Sequence, residues 1–376
     1  MSYEITLDYL PVGYATTNTK EGKEAKFNGQ GFSSTDEGDD FIVLLEGMPT
    51  TALSKIATTV PFSPSTVDHL LVIIRRDQSA TVYLNELTIT LGVKTKRDTE
   101  KGQLIFEDDI ADIERLTFEG VSIPKDAGYF FLFSTGWRKG LVYDFGPLLS
   151  YPSQPFVDRN YDLEPLLGRY AAYLQFQHLF NITNVEWAQL LGQKWFPFIS
   201  LKVETVKNML RYVKTGSSVD DLLMPISKEI VSNAAIIKTN WQSNPVFADH
   251  VVMFEKALDE YLEEDYISAN AILYPRIEGL LRTYHQIVNP SGGTSQDKLV
   301  DSAIGVLPSS KRWMLLPEKF DHYLRQVYFE SFDRINPSNL SRHSVAHGVA
   351  PAMLFDLKAA TIGFLTLQQL SYYLHV

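Results

Sequence analysis

The 376-residue chain contains no cysteine. Disulfide frameworks, cysteine-ligated zinc and thiol nucleophiles are thereby excluded. Positive charge is also scarce: 34 Lys and Arg face 45 Asp and Glu, a formal net charge of -11. Bulk coating of DNA or RNA needs the opposite balance, so any nucleic-acid contact has to be local, confined to one cleft. No stretch reaches the ~18 uninterrupted apolar residues that a membrane-crossing helix needs. Met1 to Asp8 lacks a basic segment followed by an apolar one, so the expectation is a soluble, cytoplasmic chain with no secretory signal and no membrane partner. Three familiar motifs are missing: the Gly-x-x-x-x-Gly-Lys-Ser/Thr loop, Gly-x-Gly-x-x-Gly after a strand, and the Gly-x-Ser-x-Gly elbow. Readings as an ATPase, a dinucleotide oxidoreductase or an α/β-hydrolase therefore have no support.

What is present suits two or three domains with ample cores. In residues 1–150, Ile5 to Leu7, Phe41 to Glu46, Leu70 to Arg75, Thr81 to Leu91 and Tyr129 to Phe133 are short β-branched or aromatic runs between turn residues. That spacing predicts a β-sandwich or partly closed barrel. We read it as a recognition or sensor module for an unknown trigger ligand, with no catalytic constellation. Thr81 to Leu91 predicts two strands around Asn85-Glu86, or one long strand with a bulge. Lys20 to Lys26 reads as a solvated hairpin tip. Asp36 to Asp40 is acidic but lacks the twelve-residue calcium spacing, so it reads as a loop.

Pro147, Pro152 and Pro155 mark a domain boundary. Beyond it the apolar period becomes helical. A helical linking domain over 151–245 carries segments Leu163 to Phe180, Val185 to Lys194, Glu204 to Lys214 and Val219 to Trp241, with Trp187, Trp195 and Trp241 as core anchors. Residues 246–376 predict a four-helix unit: Phe247 to Asp265, Ser268 to Val288 with a kink at Pro275, Pro317 to Arg334, and Pro351 to Leu374. Pro290 to Ser295 reads as a flexible insertion. The fold class is thus α+β and multidomain.

The chemistry concentrates in Asn339-Leu340-Ser341-Arg342-His343-Ser344-Val345-Ala346-His347-Gly348, between the last two helices. Arginine offers a planar fork of donors to phosphate, and histidine exchanges a proton near neutral pH, which together suit phosphodiester chemistry. A metal alternative would use His343 and His347 at i and i+4 with Asp333 or Asp356, but no His-Glu-x-x-His pattern supports it. No metal and no cofactor are expected.

The Arg342 to His347 spacing, between the last two helices of a four-helix unit, resembles the signature of the HEPN family: Arg, four to six residues, His. Ile272 to Arg282 is similar to that family's second helix, which carries a polar residue facing the signature. The resemblance implies a metal-independent endoribonuclease acting as a homodimer on RNA, in the manner of phage-defence, abortive-infection or toxin proteins. It implies His347 as general base or acid, Arg342 as stabiliser of the phosphorane and Glu278 as the residue orienting them. Asn339, His343, Ser341 and Gly348 would hold substrate or the loop. The products would be 2',3'-cyclic phosphate and 5'-hydroxyl ends. The competing reading is a non-catalytic nucleotide-binding or interaction scaffold, in which Arg342 pairs with Glu278, the histidines cap helix ends, Gly348 serves a turn, and Glu278 with Arg282 is an ordinary helix-surface pair.

Overall fold

The computed structural model describes residues 2–15, 19–56, 67–150, 155–305, 312–331 and 340–375. The chain forms two compact units, one of Met1–Gly92 with Arg115–Gln175 and one of Val93–Glu114 with Phe176–Val376. Three segments divided near 150 and 245 are expected from the sequence; the contacts group the chain into two units instead.

The first unit is built on an antiparallel sheet of β1 (Ser2–Thr6), β4 (Gln30–Ser34), β5 (His69–Ile74), β6 (Ser79–Leu84), β9 (Gly128–Thr135) and β10 (Arg138–Asp144). Its strand order is β1-β6-β5-β9-β10-β4. The expected β-domain is therefore an open sheet between two edge strands rather than a sandwich or barrel. Helices cover both of its faces. Phe130, Leu132, Leu70, Val72 and Leu141 share one core with Phe41, Leu45, Ala52 and Leu53 of α1 (Asp39–Ser54). On the opposite face α2 (Leu163–Gln175) packs on β9 and β10. There Phe32 stacks on Tyr170 at 4.2 Å, and Gly140 leaves room for Leu174. A strand buried on both faces loses the polar alternation that an exposed face would impose, and β9 reads Gly-Tyr-Phe-Phe-Leu-Phe. This packing draws 163–175 into the first unit and moves the boundary past 150.

Phe41 to Glu46 is a correction: these residues are helical, not a strand. A run of five apolar residues fits either period. The helix buries Phe41 and Leu45, four apart, and leaves Ile42 and Val43 exposed. Thr81 to Leu91 splits as expected into β6 and β7 (Ile89–Thr95), with Asn85 left-handed between them. β7 pairs with β8 (Ile110–Phe118) as a ribbon, and β2 (Tyr14–Ala15) pairs with β3 (Phe27–Asn28) around the exposed Lys20 to Lys26 tip. Asp36 and Glu37 form a short turn entering α1, where acidic side chains suit the helix N-terminus.

The second unit is helical: α3 (Gln177–Phe180), α4 (Asn184–Gly192), α5 (Val203–Lys214), α6 (Leu223–Ser232), α7 (Ala234–Ser243), α8 (Val251–Leu262), α9 (Tyr266–Val288), α10 (Gln296–Gly305), α11 (Pro317–Tyr323), α12 (Arg342–Ala346) and α13 (Leu357–Ser371). The helical segments expected over 163–180 and 219–241 are each divided, at Phe176 and at Asn233, with a further break before α6 near Pro225, where a proline is expected to bend or break the segment. Pro225 sits in the first turn of α6, where its missing N–H costs nothing. Trp187, Trp195 and Trp241 are buried, as expected. Helix α9 carries Pro275 and packs against α8, α10, α12 and α13. Gly363 of α13 admits Leu273 of α9 to a distance that any side chain would block. Helix α10 follows directly on Pro290 to Ser295, and α11 runs on as a π-turn over Leu324–Tyr328. No helix among the described residues is long and apolar enough to cross a membrane.

Candidate functional site

The Arg-His segment is organised by local capping. Ser341, 1% exposed, is the N-cap of α12: its hydroxyl accepts from the Ser344 N–H at 3.3 Å, and its own N–H donates to Ser344 Oγ at 3.0 Å. Glu or Gln more often fills the second role in such a box. At the other end Gly348 is left-handed at φ 65°. The Gly348 and Val349 N–H groups donate to the Val345 and Ser344 carbonyls, the paired bonds of a Schellman closure. Ser341 and Gly348, expected to hold substrate or the loop, thus shape the turn that presents Arg342 and His347. Asn339 lies outside the described residues, as does Asp333.

Arg342, first residue of α12, forms an ion pair through Nε with Glu278 Oε2 on α9. The Glu278 side chain is 4% exposed and the Arg342 side chain 21%. Both the ribonuclease and the scaffold readings set Glu278 against this segment, so the contact does not separate them. Partial burial draws the Arg342 guanidinium down from its ordinary value. It stays charged regardless, and the adjacent carboxylate favours that form. Glu278 also takes a second arginine: Arg282 Nε donates to Oε1 at 2.8 Å, and Arg282 NH1 donates to the Thr294 carbonyl at 3.4 Å.

His343 and His347 lie nearly parallel, 6° apart in plane, with ring centroids at 6.3 Å. His347 is exposed. The Gln296 side-chain amide lies 2.7 Å from His343 Nε2. An amide nitrogen can only donate, so Nε2 accepts and the ring proton sits on Nδ1. Burial, then Arg342 and His347, hold His343 below its ordinary value, which leaves it neutral at pH 7. Glu278 thus joins Arg282 and Arg342, while His343, next to Arg342 in the chain, meets Gln296.

Asp356, the other proposed metal ligand, caps α13 by accepting from the Ala359 N–H at 2.8 Å. Among the described residues, no three His, Asp or Glu side chains gather in a metal-holding arrangement.

Arg282, Thr294 and Gln296 were absent from the expected site. The i, i+4 spacing of Glu278 and Arg282 was visible, but nothing in Pro290 to Ser295 signalled that the following turn meets His343. In the first unit, reading by segments missed a buried polar cluster. Tyr161 donates to Asp144 Oδ2 at 2.6 Å, and the Arg159 side chain lies 3.5 Å from the same oxygen and over the Tyr129 ring. Burial is the main cause that raises the Tyr161 hydroxyl above its ordinary value. A separate cavity of about 240 Å³ lies among Leu10, Val12, Tyr14, Ala52, Phe130 and Phe145, predominantly apolar.

No protein-family model, no curated protein and no solved structure matches this chain.

Proposed function

We propose that the chain is a cytoplasmic, metal-independent endoribonuclease of the HEPN type, its last helices forming a HEPN-like bundle that pairs with a second copy. The observation that carries this is the ion pair of Arg342 with the buried Glu278 at the head of a one-turn helix whose far end bears the exposed His347. A phosphate entering beside Arg342 meets a guanidinium already oriented by a carboxylate. His347 takes the proton from the ribose 2'-hydroxyl, whose oxygen bonds to the adjacent phosphorus, and the bond from phosphorus to the 5'-oxygen breaks. The leaving oxygen takes a proton from a second imidazole, supplied by the His347 of the facing copy. The products are a 2',3'-cyclic phosphate and a 5'-hydroxyl, and no electrons change hands. The first unit would sense a trigger that raises a basal cleavage activity, in a phage-defence, abortive-infection or toxin setting. Net negative charge keeps an idle nuclease from adhering to every RNA.

A second reading, a non-catalytic nucleotide-binding or interaction scaffold, is favoured by the capping roles of Ser341 and Gly348 and by the carboxylate already on Arg342. Incubation of the purified chain with total RNA separates the two. Cleavage that disappears in His347→Ala and Arg342→Ala supports the enzyme; intact RNA with the unmodified chain supports the scaffold.

A further inference from the structure

We infer that Arg282 is a second phosphate-binding residue of this site, paired through Glu278 with Arg342 so that two guanidiniums meet neighbouring phosphates of a single-stranded RNA. The inference rests on the ribonuclease reading and extends it to how the substrate is held. Glu278 is a bridge: Oε1 takes Arg282, and Oε2 takes Arg342. The Glu278 side chain is 4% exposed, Arg342 21% and Arg282 41%, so Arg282 is the member of the bridge most open to water. An exposed helix-surface pair has both partners in water; here the acid is buried and Arg282 is the exposed partner.

The position of Arg282 is fixed from a second direction. Its NH1 donates to the Thr294 carbonyl, two residues before the Gln296 that contacts His343. The entry to α10, from Thr294 to its first residue Gln296, thus touches both Arg282 and His343. Two cations against one carboxylate leave these three side chains a net charge of +1 on a protein of net charge -11, with the aspartates of the adjoining α10 engaged by Arg325. One phosphate would engage Arg342 for the chemistry. The next would engage Arg282 for register.

The test measures binding of a fluorescein-labelled single-stranded RNA of mixed sequence to the full chain in the His347→Ala background, where nothing is cut. Added Arg282→Gln is expected to weaken binding about tenfold and to lower the slope of log affinity against log salt by about 0.7, the share of one single-strand phosphate contact. Arg282→Lys should restore much of the affinity, because it keeps the charge. Lys256→Gln, which removes a cation paired with Glu260 on α8, should change neither. With His347 intact, Arg282→Gln should raise KM and leave kcat within a few-fold. Unchanged affinity and slope in Arg282→Gln, in a chain that cleaves RNA, would overturn this inference and leave the ribonuclease reading standing. Binding that depends on Arg282 without any cleavage upholds the phosphate role and removes the nuclease. A chain that neither binds nor cuts RNA overturns both.

Discussion

Replacing Glu278 by Gln removes one charge and almost no volume, so its effect isolates the arginine bridge. The carboxylate is buried at 4% side-chain exposure, and removing one partner of a buried ion pair costs up to about 3–5 kcal/mol. The Arg282 link contributes least, at most about 0.5 kcal/mol, because that arginine is well exposed. The Arg342 link carries the rest. Gln keeps one acceptor, and both guanidiniums can turn to water, so the cost stays below the 3–5 kcal/mol of a stranded buried charge. The expected loss is about 2 kcal/mol, which for a unit of this size lowers Tm by about 4–8 °C. Urea unfolding and a thermal scan both read it. Arg342→Gln should cost a similar amount, and the Glu278→Gln, Arg342→Gln double variant little more than either alone, since one interaction is lost in all three. A Tm change under about 1 °C in Glu278→Gln, or full additivity in the double variant, would refute the claim that the bridge holds α12 to α9.

Two other perturbations depend on pH. Asp112 on β8 accepts from the Ile113 N–H at 2.9 Å, yet its Oδ2 has no partner among the described residues, and burial pushes its carboxyl up to about 7. The folded state holds this proton better than the unfolded chain, so the contribution is full below pH 4 and lost as pH rises through about 7. The urea midpoint should therefore fall between pH 5 and pH 8 in the unaltered chain and fall less in Asp112→Asn; parallel curves would contradict the assignment. Gln296→Glu places a carboxylate on His343 Nε2, so His343 should titrate above its ordinary range in the variant and below it in the unaltered chain, as followed by imidazole NMR. No upward movement would mean that the 2.7 Å contact is not made in solution.

The helix that carries Glu278 and the capped turn that carries Arg342 were legible from local punctuation, but their pairing came from the resemblance and not from any local pattern. The β-runs of the first unit were legible where apolar residues met turn signals, as at Leu70 to Arg75. Helix α1 was not, because Phe-Ile-Val-Leu-Leu satisfies both periods and only the sheet above it decides which residues turn inward. Strands β4, β8 and β10 were hidden by glycine, serine and charged residues that tertiary pairing tolerates. The Asp144, Arg159 and Tyr161 cluster joins residues from a strand and a following loop that no local pattern links. Gln296 illustrates the same limit at the site, since a polar residue after Gly-Gly-Thr-Ser gives no sign of what it will touch.

The central claim is that the Arg342 and His347 segment cuts RNA. The most direct measurement is incubation of the chain with total RNA in the presence of a chelator, with the product ends identified and with His347→Ala and Arg342→Ala alongside. The account predicts fragments ending in 2',3'-cyclic phosphate and beginning with 5'-hydroxyl, made without added metal and by neither variant. Uncut RNA, or cutting that survives both substitutions, would contradict it.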